Sequence, residues 1–161
     1  MKHGQAGRGS IEISVRNIQD DLRINIPFIK RLIRYVLKEE AAAGRGEIAL
    51  CVADDREIHR LNKTYLGKDR PTDVIAFNLS GEEAELRADI IVSAETARAY
   101  SRKFHTKPAY ELYLYVIHGV LHVLGYDDRT ERQRNTMHKR ELYLLSSFTK
   151  QVETQNIASL Q

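Results

Sequence analysis

The chain has 161 residues, 42% hydrophobic and 29% charged, which is the composition of an ordinary globular protein. Its single cysteine, Cys51, excludes a disulfide within the chain, and no apolar run approaches the ~20 residues that a membrane span needs. With 25 Lys and Arg against 22 Asp and Glu, nucleic-acid binding is permitted but not demanded. Residues 1–10 are polar and glycine-rich, so we expect neither signal peptide nor anchor and place the protein in the cytoplasm. The length is that of one domain, which we expect over residues 1–161.

Hydrophobic periodicity predicts four strands and five helices in the order βαβαββααα. The strands are expected at 11–15, 47–53, 72–79 and 86–92. The helices are expected at 27–43, after Asp54 up to Gly67, then at 93–104, 108–124 and 130–148. This order predicts an α+β fold, with a four-stranded mixed sheet and about five helices packed on it. Residues 1–10 and 150–161 are expected to be flexible, because they are polar and terminal.

The most informative segment, residues 118–128, has the sequence H-G-V-L-H-V-L-G-Y-D-D. On a helix, His118 and His122 lie on one face, one turn apart. Gly125 ends the helix, and the turn that follows brings a carboxylate, Asp127 or Asp128, within reach. Two histidines and one further ligand leave one coordination position open, as in catalytic rather than structural zinc sites. The segment therefore predicts a metalloenzyme.

The alternative is that both histidines are ordinary core residues with satisfied nitrogens. The helix around them is apolar on nearly every face, which predicts that it is buried. Burial favours the neutral imidazole that a metal requires, and each ring nitrogen then needs a partner. We therefore favour the metal site over the satisfied core pair.

Basic residues cluster directly after this turn, at Arg129, Arg132 and Arg134. Charged runs on helices are usually solvated faces. This cluster differs because it begins beside the predicted metal ligand, where it is suited to hold a phosphate backbone over the metal. We predict that these three arginines bind the phosphate backbone of a nucleic acid.

The motif H-G-x-L-H-x-x-G-Y-D-x resembles the signature of the YbeY family, bacterial metal-dependent endoribonucleases implicated in ribosomal RNA maturation. Leu61 to Val74 is similar to the family's L-N-x-x-Y/F-R-G-x-x-x-P-T-D-V segment, and Met137 to Glu141 to its M-x-x-x-E helix. The resemblance spans roughly residues 11–148. It implies a zinc-dependent, single-strand-specific endoribonuclease with one zinc per chain, in which Arg129, Arg132 and Arg134 bind RNA. It also implies a role in rRNA processing and ribosome quality control, with ribosomal RNA, ribosomal proteins or the small subunit as partners.

The chain departs from the family pattern at three positions. Asp128 stands where the family usually has a third histidine ligand, so the implied ligands are His118, His122 and Asp128; aspartate is itself an ordinary zinc ligand. The segment Ala88-Asp89-Ile90 is similar to the family's G-D-I strand, and Ala88 replaces its glycine. Leu66 replaces an arginine taken to act in RNA cleavage, and Lys68 and Arg70 are the nearest substitutes for its charge on phosphate.

Other functions remain open from the sequence. A peptidase of the H-E-x-x-H type needs a glutamate after the first histidine, and this chain has Gly119 there. A non-catalytic ribosome-assembly or RNA-binding factor with a structural metal is the main alternative, and a metallohydrolase of a non-RNA substrate is another. Asp73 is expected to brace its loop rather than to catalyse, and Asp127 competes with Asp128 as third ligand.

Overall fold

The computed structural model describes residues 9–81 and 85–158, and the part of the chain it covers contains four strands and five helices. Their bounds are β1 Ile11–Asn17, α1 Ile26–Glu39, β2 Arg45–Ala53, α2 Asp55–Leu66, β3 Val74–Asn78, β4 Glu85–Ser93, α3 Ala94–Phe104, α4 Pro108–Val123 and α5 Glu131–Ala158. The predicted order and the α+β class are confirmed. Residues 1–8 and 159–161 of the predicted flexible termini, and residues 82–84 between β3 and β4, lie outside the described residues.

The four strands form one mixed sheet in the order β1-β2-β4-β3. β1, β2 and β4 run parallel, with Ile13 opposite Ile48 and Ile48 opposite Ala88, while β3 pairs antiparallel with β4. The buried side chains of β2 alternate along the strand, because successive residues point to opposite faces of a sheet. The mixed sheet predicted from the sequence is confirmed.

Helix α4 is the centre of the core. It packs against α1, α3, α5 and strands β3 and β4, and Val116, Ile117, Val120 and Leu121 are fully buried. A Cβ built at Gly119 would lie 2.6 Å from Cγ2 of Ile90, so only a glycine lets the helix approach the sheet this closely. Gly119 therefore serves packing, and the orientation of the histidines on either side of it is fixed by the core.

Two helix ends differ from the sequence-based prediction. α1 ends at Glu39 rather than residue 43, because Ala41 adopts a positive φ of 53° that a helix cannot contain. α5 continues to Ala158 rather than ending at Phe148. Val152 extends its apolar face onto the core, and Gln155 accepts a hydrogen bond from Arg31 of α1. Tertiary contacts thus hold nine residues of the predicted flexible tail, 150–158, in a helix.

None of the helices among the described residues combines the length and apolar character needed to cross a membrane.

Candidate metal centre

The end of α4 and the turn after it build the candidate metal centre. His118 and His122 lie one turn apart, with their ring centroids 4.5 Å apart and the rings nearly perpendicular. Gly125 has a φ of 100°, a conformation that favours glycine, and the Tyr126 N–H then donates to the Leu121 carbonyl at 3.0 Å. This reversal carries Asp128 back alongside the two histidines.

The three side chains converge on one point. Nε2 of His118 and Nε2 of His122 are 2.9 Å apart, and Oδ2 of Asp128 lies 3.8 Å from the first and 3.4 Å from the second. Ligand atoms ~2.0–2.1 Å from a tetrahedral zinc lie about 3.3 Å from one another. The observed triangle therefore has the size that three of the four ligands of such an ion require. Among the His, Cys, Asp and Glu side chains of the described residues, these three form the group that is placed to hold a metal ion.

The outer nitrogens of both histidines are already occupied. Nδ1 of His122 donates to the Tyr126 carbonyl at 3.0 Å, and Nδ1 of His118 donates to Oε1 of Glu141 at 2.6 Å. In a neutral imidazole the other nitrogen is then a lone pair, so two lone pairs and a carboxylate oxygen face one another. Such a donor set is repulsive without a cation between its members. These residues therefore fit a metal ion, and Glu141 and the Tyr126 carbonyl orient its histidine ligands.

Opposing influences act on the pKa of His118. Burial lowers it, but the hydrogen bond and negative charge of Glu141, with smaller contributions from Asp73 and Asp128, outweigh burial and raise it above the ordinary histidine value. A proton and a metal ion would therefore compete for the imidazole of His118. The nearby carboxylates attract both of these cations.

Asp127 and Asp128 have different roles in the turn. Oδ1 of Asp127 accepts the backbone N–H groups of Asp128 and Arg129 at 2.8 and 3.3 Å, and Oδ2 accepts Nε of Arg129 at 2.7 Å. Burial raises the pKa of Asp127, but the hydrogen bonds from Asp128 and Arg129 and the charge of Arg129 together outweigh burial and leave this pKa below its usual value. The Asp127 carboxylate is thus committed to shaping the turn, while that of Asp128 faces the histidines.

The turn is also tied to distant parts of the fold. The Tyr126 hydroxyl donates to Oε2 of Glu40 at 2.9 Å, and Nε of Arg140 donates to Oε1 of the same carboxylate at 2.6 Å. Burial and the adjacent Glu40 both raise the pKa of the Tyr126 hydroxyl, which keeps it protonated as a donor. Glu40 therefore links α1, the turn and α5.

A cavity of about 390 Å³, the metal cavity, opens beside the three ligands. Its other walls include polar or exposed side chains from the loop before β3 and from the elements beside it, namely Leu66, Lys68, Thr72, Asp73 and Asn78. The side chains of His118, His122 and Asp128 are 24%, 27% and 43% exposed, so the open side of the donor triangle is accessible from solvent. Asp73 braces its loop as expected, since Oδ1 accepts the Thr72 hydroxyl and the Val74 N–H.

The structure separates the basic residues singled out in the sequence. Lys68 lines the metal cavity, whereas Arg70 is not among its lining residues. Arg129 pairs with Asp127, and Arg134 donates to the carbonyls of Asp128 and Arg129 at 3.0 and 3.1 Å. Arg132 is exposed. Two of the three arginines expected to bind RNA therefore stabilise the turn of the metal centre.

Sequence reasoning assigned no role to Glu141, Glu40 or Arg140. For Glu141 the sequence contains a signal, because it lies four residues after Met137 and therefore on the same face of the predicted helix. The structure buries both side chains, and a buried carboxylate needs a partner. Which partner it has depends on how α5 crosses α4. Of the other histidines, His59 pairs with Asp69 and His138 lies 3.4 Å from Oε2 of Glu141.

Fold and site together define an α+β protein with a candidate metal centre of two helical histidines and one carboxylate. A family model described as endoribonuclease YbeY matches residues 12–149, so the chain belongs to the YbeY family. This confirms the resemblance inferred from the motifs.

Individual relatives agree with that assignment. Endoribonuclease YbeY of Syntrophotalea carbinolica is 34% identical over 83% of this chain and 93% of its own length. Endoribonuclease YbeY of Bacillus licheniformis is 33% identical over 74% of this chain and 83% of its own length. The solution structure of TM1509 from Thermotoga maritima is similar in fold, with a TM-score of 0.61 at 24% identity, over 89% of this chain and 93% of that one.

Proposed function

We propose that the chain is a zinc-dependent endoribonuclease that cleaves single-stranded RNA. The observation that carries the proposal is the donor triangle of His118, His122 and Asp128 at the mouth of a cavity lined by Lys68, in a chain of the endoribonuclease YbeY family. We further propose one zinc per chain and a cytoplasmic role in ribosomal RNA maturation and ribosome quality control, with ribosomal proteins or the small subunit as partners.

Each residue of the site has a distinct part in this proposal. A zinc ion held by the triangle would supply a Lewis acid for a phosphoryl oxygen and would activate water near neutral pH. His118, His122 and Asp128 hold the ion, and Glu141 keeps His118 in the orientation and tautomer that binding requires. Lys68 offers a positive charge to the phosphate in the cavity, where developing negative charge must be stabilised.

The direct test is cleavage of a single-stranded RNA oligonucleotide by the full chain, with and without a chelator. We expect chelator-sensitive cleavage, restored by added zinc, and one zinc per chain by metal analysis after purification without added metal. RNA binding without cleavage by the zinc-loaded chain would favour the non-catalytic assembly factor. Cleavage that survives complete metal removal would contradict the metal-dependent mechanism.

Leu66 is the specific reason for keeping that second function in view, because an apolar side chain lines the cavity where the family has an arginine. Leu66→Arg adds a planar, permanently charged phosphate donor, and we expect cleavage to become faster. Leu66→Met is the matched control, since it nearly conserves volume and adds no charge. An equal rate in both variants would mean that Lys68 already supplies the required charge.

The RNA surface can be tested through salt dependence. Because Arg129 and Arg134 have partners in the turn, we expect Arg132→Ala to weaken RNA binding and reduce the salt slope by roughly 0.7, as for one phosphate contact on a single strand. Lys150→Ala is the control, on the same helix but about 27 Å further along its axis. An unchanged slope for Arg132→Ala would make this cluster only a solvated face.

A further inference from the structure

A second cavity, of about 410 Å³, lies on the other side of His118 between α3, α4 and α5. We call it the aromatic cavity, because Tyr100, Phe104, Tyr110 and Tyr115 line it. Its volume falls within the ~300–1,000 Å³ typical of small-molecule sites. It shares Asp73 and His118 with the metal cavity. A ligand that extends from one cavity into the other would therefore pass directly beside the candidate metal.

Three of these aromatic rings are exposed at the mouth of the aromatic cavity. Tyr100, Phe104 and Tyr110 are large apolar side chains that folding leaves in contact with water. The rings of Tyr100 and Phe104 lie 5.7 Å apart, and Nζ of Lys103 sits 5.8 Å from the first centroid and 5.3 Å from the second. Flat exposed rings with an adjacent cation are the combination on which proteins stack the bases of single-stranded nucleic acids.

The inner wall contains a buried donor without a partner. Tyr115 is only 7% exposed, and its hydroxyl has no hydrogen-bond partner among the residues that the structure describes. Burial, and then the charges of Asp73 and Glu111, raise the pKa of this hydroxyl, so it stays protonated and able to donate. Buried tyrosine hydroxyls normally find a partner. An acceptor on a group that enters the cavity would supply the missing partner.

Charge decides what kind of group enters. Asp73, Glu111 and Glu141 line the cavity, and their carboxylates repel phosphate but accept N–H donors. A neutral, flat group that carries both an acceptor for Tyr115 and an amino or imino donor for the carboxylates fits this lining. Nucleobases have these properties. The phosphates attached to such a base would remain outside, near Lys103.

We propose that the aromatic cavity binds the base of a nucleotide next to the phosphodiester group that occupies the metal cavity. This subsite rests on the proposed ribonuclease function and deepens it, because it specifies how a single strand is held across the site. Stacking needs a base free of its complementary strand, so the subsite favours single-stranded RNA over a duplex. The competing occupant is an apolar side chain of a protein partner, which variants of the cavity with unchanged RNA affinity would favour.

The test combines two protein variants with abasic substrates. Short RNA oligonucleotides with one abasic position moved along the strand are assayed for affinity by fluorescence anisotropy and for kcat/KM. We expect one abasic position to lower both by about tenfold in the wild-type chain, the order of magnitude of one lost base stack. Phe104→Ala and Tyr100→Ala should each lower the affinity and the kcat/KM for the intact strand. Each variant should lose little more of either when that abasic strand is used. Tyr143→Ala is the matched control, because Tyr143 is an exposed aromatic on α5 outside the cavity lining.

Tyr115→Phe distinguishes binding from structure. It removes an unpartnered hydroxyl, so thermal stability should be unchanged or higher, while RNA affinity falls about three- to tenfold, as for a lost hydrogen bond to a ligand. Two results would overturn the subsite. In the first, the variants keep full affinity for every oligonucleotide. In the second, the loss of affinity caused by the variant and the loss caused by the abasic position multiply, as they do for independent sites. The wild-type chain could cleave no RNA and still bind it with an affinity that depends on the abasic position. If Phe104→Ala removed that dependence, the subsite would be supported and the nuclease function rejected.

Discussion

The two halves of the metal centre are held in place by different means. His118 and His122 belong to α4, where fully buried neighbours and the close contact of Gly119 with Ile90 fix the backbone. Asp128 belongs to a partly exposed turn. The shape of this turn depends on hydrogen bonds that Tyr126 and Arg134 donate and that the Asp127 carboxylate accepts. The two candidate ligands on the helix are therefore positioned by core packing, whereas the candidate ligand in the turn is positioned by polar contacts that single substitutions can remove.

Loss of a helical ligand should have the largest effect. His118→Ala or His122→Ala should abolish stoichiometric metal binding, with a loss greater than the ~10–100-fold expected for an outer partner. At metal concentrations about 100 times the wild-type Kd, the wild type gains ~2.7 kcal/mol from binding, so its thermal stability should exceed that of either variant. Metal analysis and thermal unfolding with and without chelator measure both effects. His138→Ala, an exposed histidine of the same region, is the control, and metal retained by His118→Ala would place the ion elsewhere.

The turn half is tested by its two adjacent aspartates. Asp128→Ala should weaken metal binding strongly, because it removes a ligand atom 3.4 Å from Nε2 of His122. Asp127→Ala should weaken it less, since only the bonds that shape the turn are lost. Asp128→His should retain the metal, because imidazole is an equally suitable zinc ligand. Isothermal titration with zinc ranks the variants, and the reverse order for the two alanines would make Asp127 the ligand.

Glu141→Gln tests the support beneath the helical half. We expect zinc affinity to fall by about 10–100-fold, because Gln lacks the charge that orients and polarises His118. In the metal-free chain, the pKa of His118 should fall, because Glu141 holds it above its ordinary value. His138→Gln is the control, since His138 touches the other oxygen of Glu141 but not the metal ligands.

The sign of the accompanying pH effect follows from that raised pKa. The stability that Glu141 lends to protonated His118 is fully present below the unfolded pKa of about 6.5 and is lost as pH rises through the higher folded value. The metal-free wild type should therefore lose its advantage over Glu141→Gln as pH rises. NMR titration of the imidazole and unfolding at several pH values measure this, and an unshifted His118 pKa in Glu141→Gln would contradict the assignment.

Tyr126→Phe should have the smallest effect. It removes the hydroxyl that ties the turn to Glu40 but leaves the backbone carbonyl that accepts from His122. We expect a few-fold loss of metal affinity and a destabilisation of about 1 kcal/mol, the usual contribution of one hydrogen bond. Tyr143→Phe, an exposed tyrosine on α5, is the control. A loss as large as that of Asp128→Ala would show that the turn depends on this single contact.

Local features of the sequence were sufficient for the order of elements, the mixed sheet and the convergence of His118 and His122 with a carboxylate of the following turn. All three side chains lie within eleven residues, on a helix end and the turn after it. Helical periodicity and the glycine at position 125 determine how such a short segment folds back. The choice of Asp128 over Asp127 came from the family motif, and the geometry of the turn agrees with it.

What only the tertiary structure decided involves residues far apart in the chain. Glu141 lies 23 positions from His118, and Glu40 lies 86 positions from Tyr126 and 100 from Arg140. Three other features depend likewise on how helices cross. They are the extension of α5 to Ala158, the separate roles of Arg129, Arg132 and Arg134, and the aromatic cavity. Local patterns encode which face of a helix is apolar, but side-chain packing over the whole core determines which distant residue meets that face.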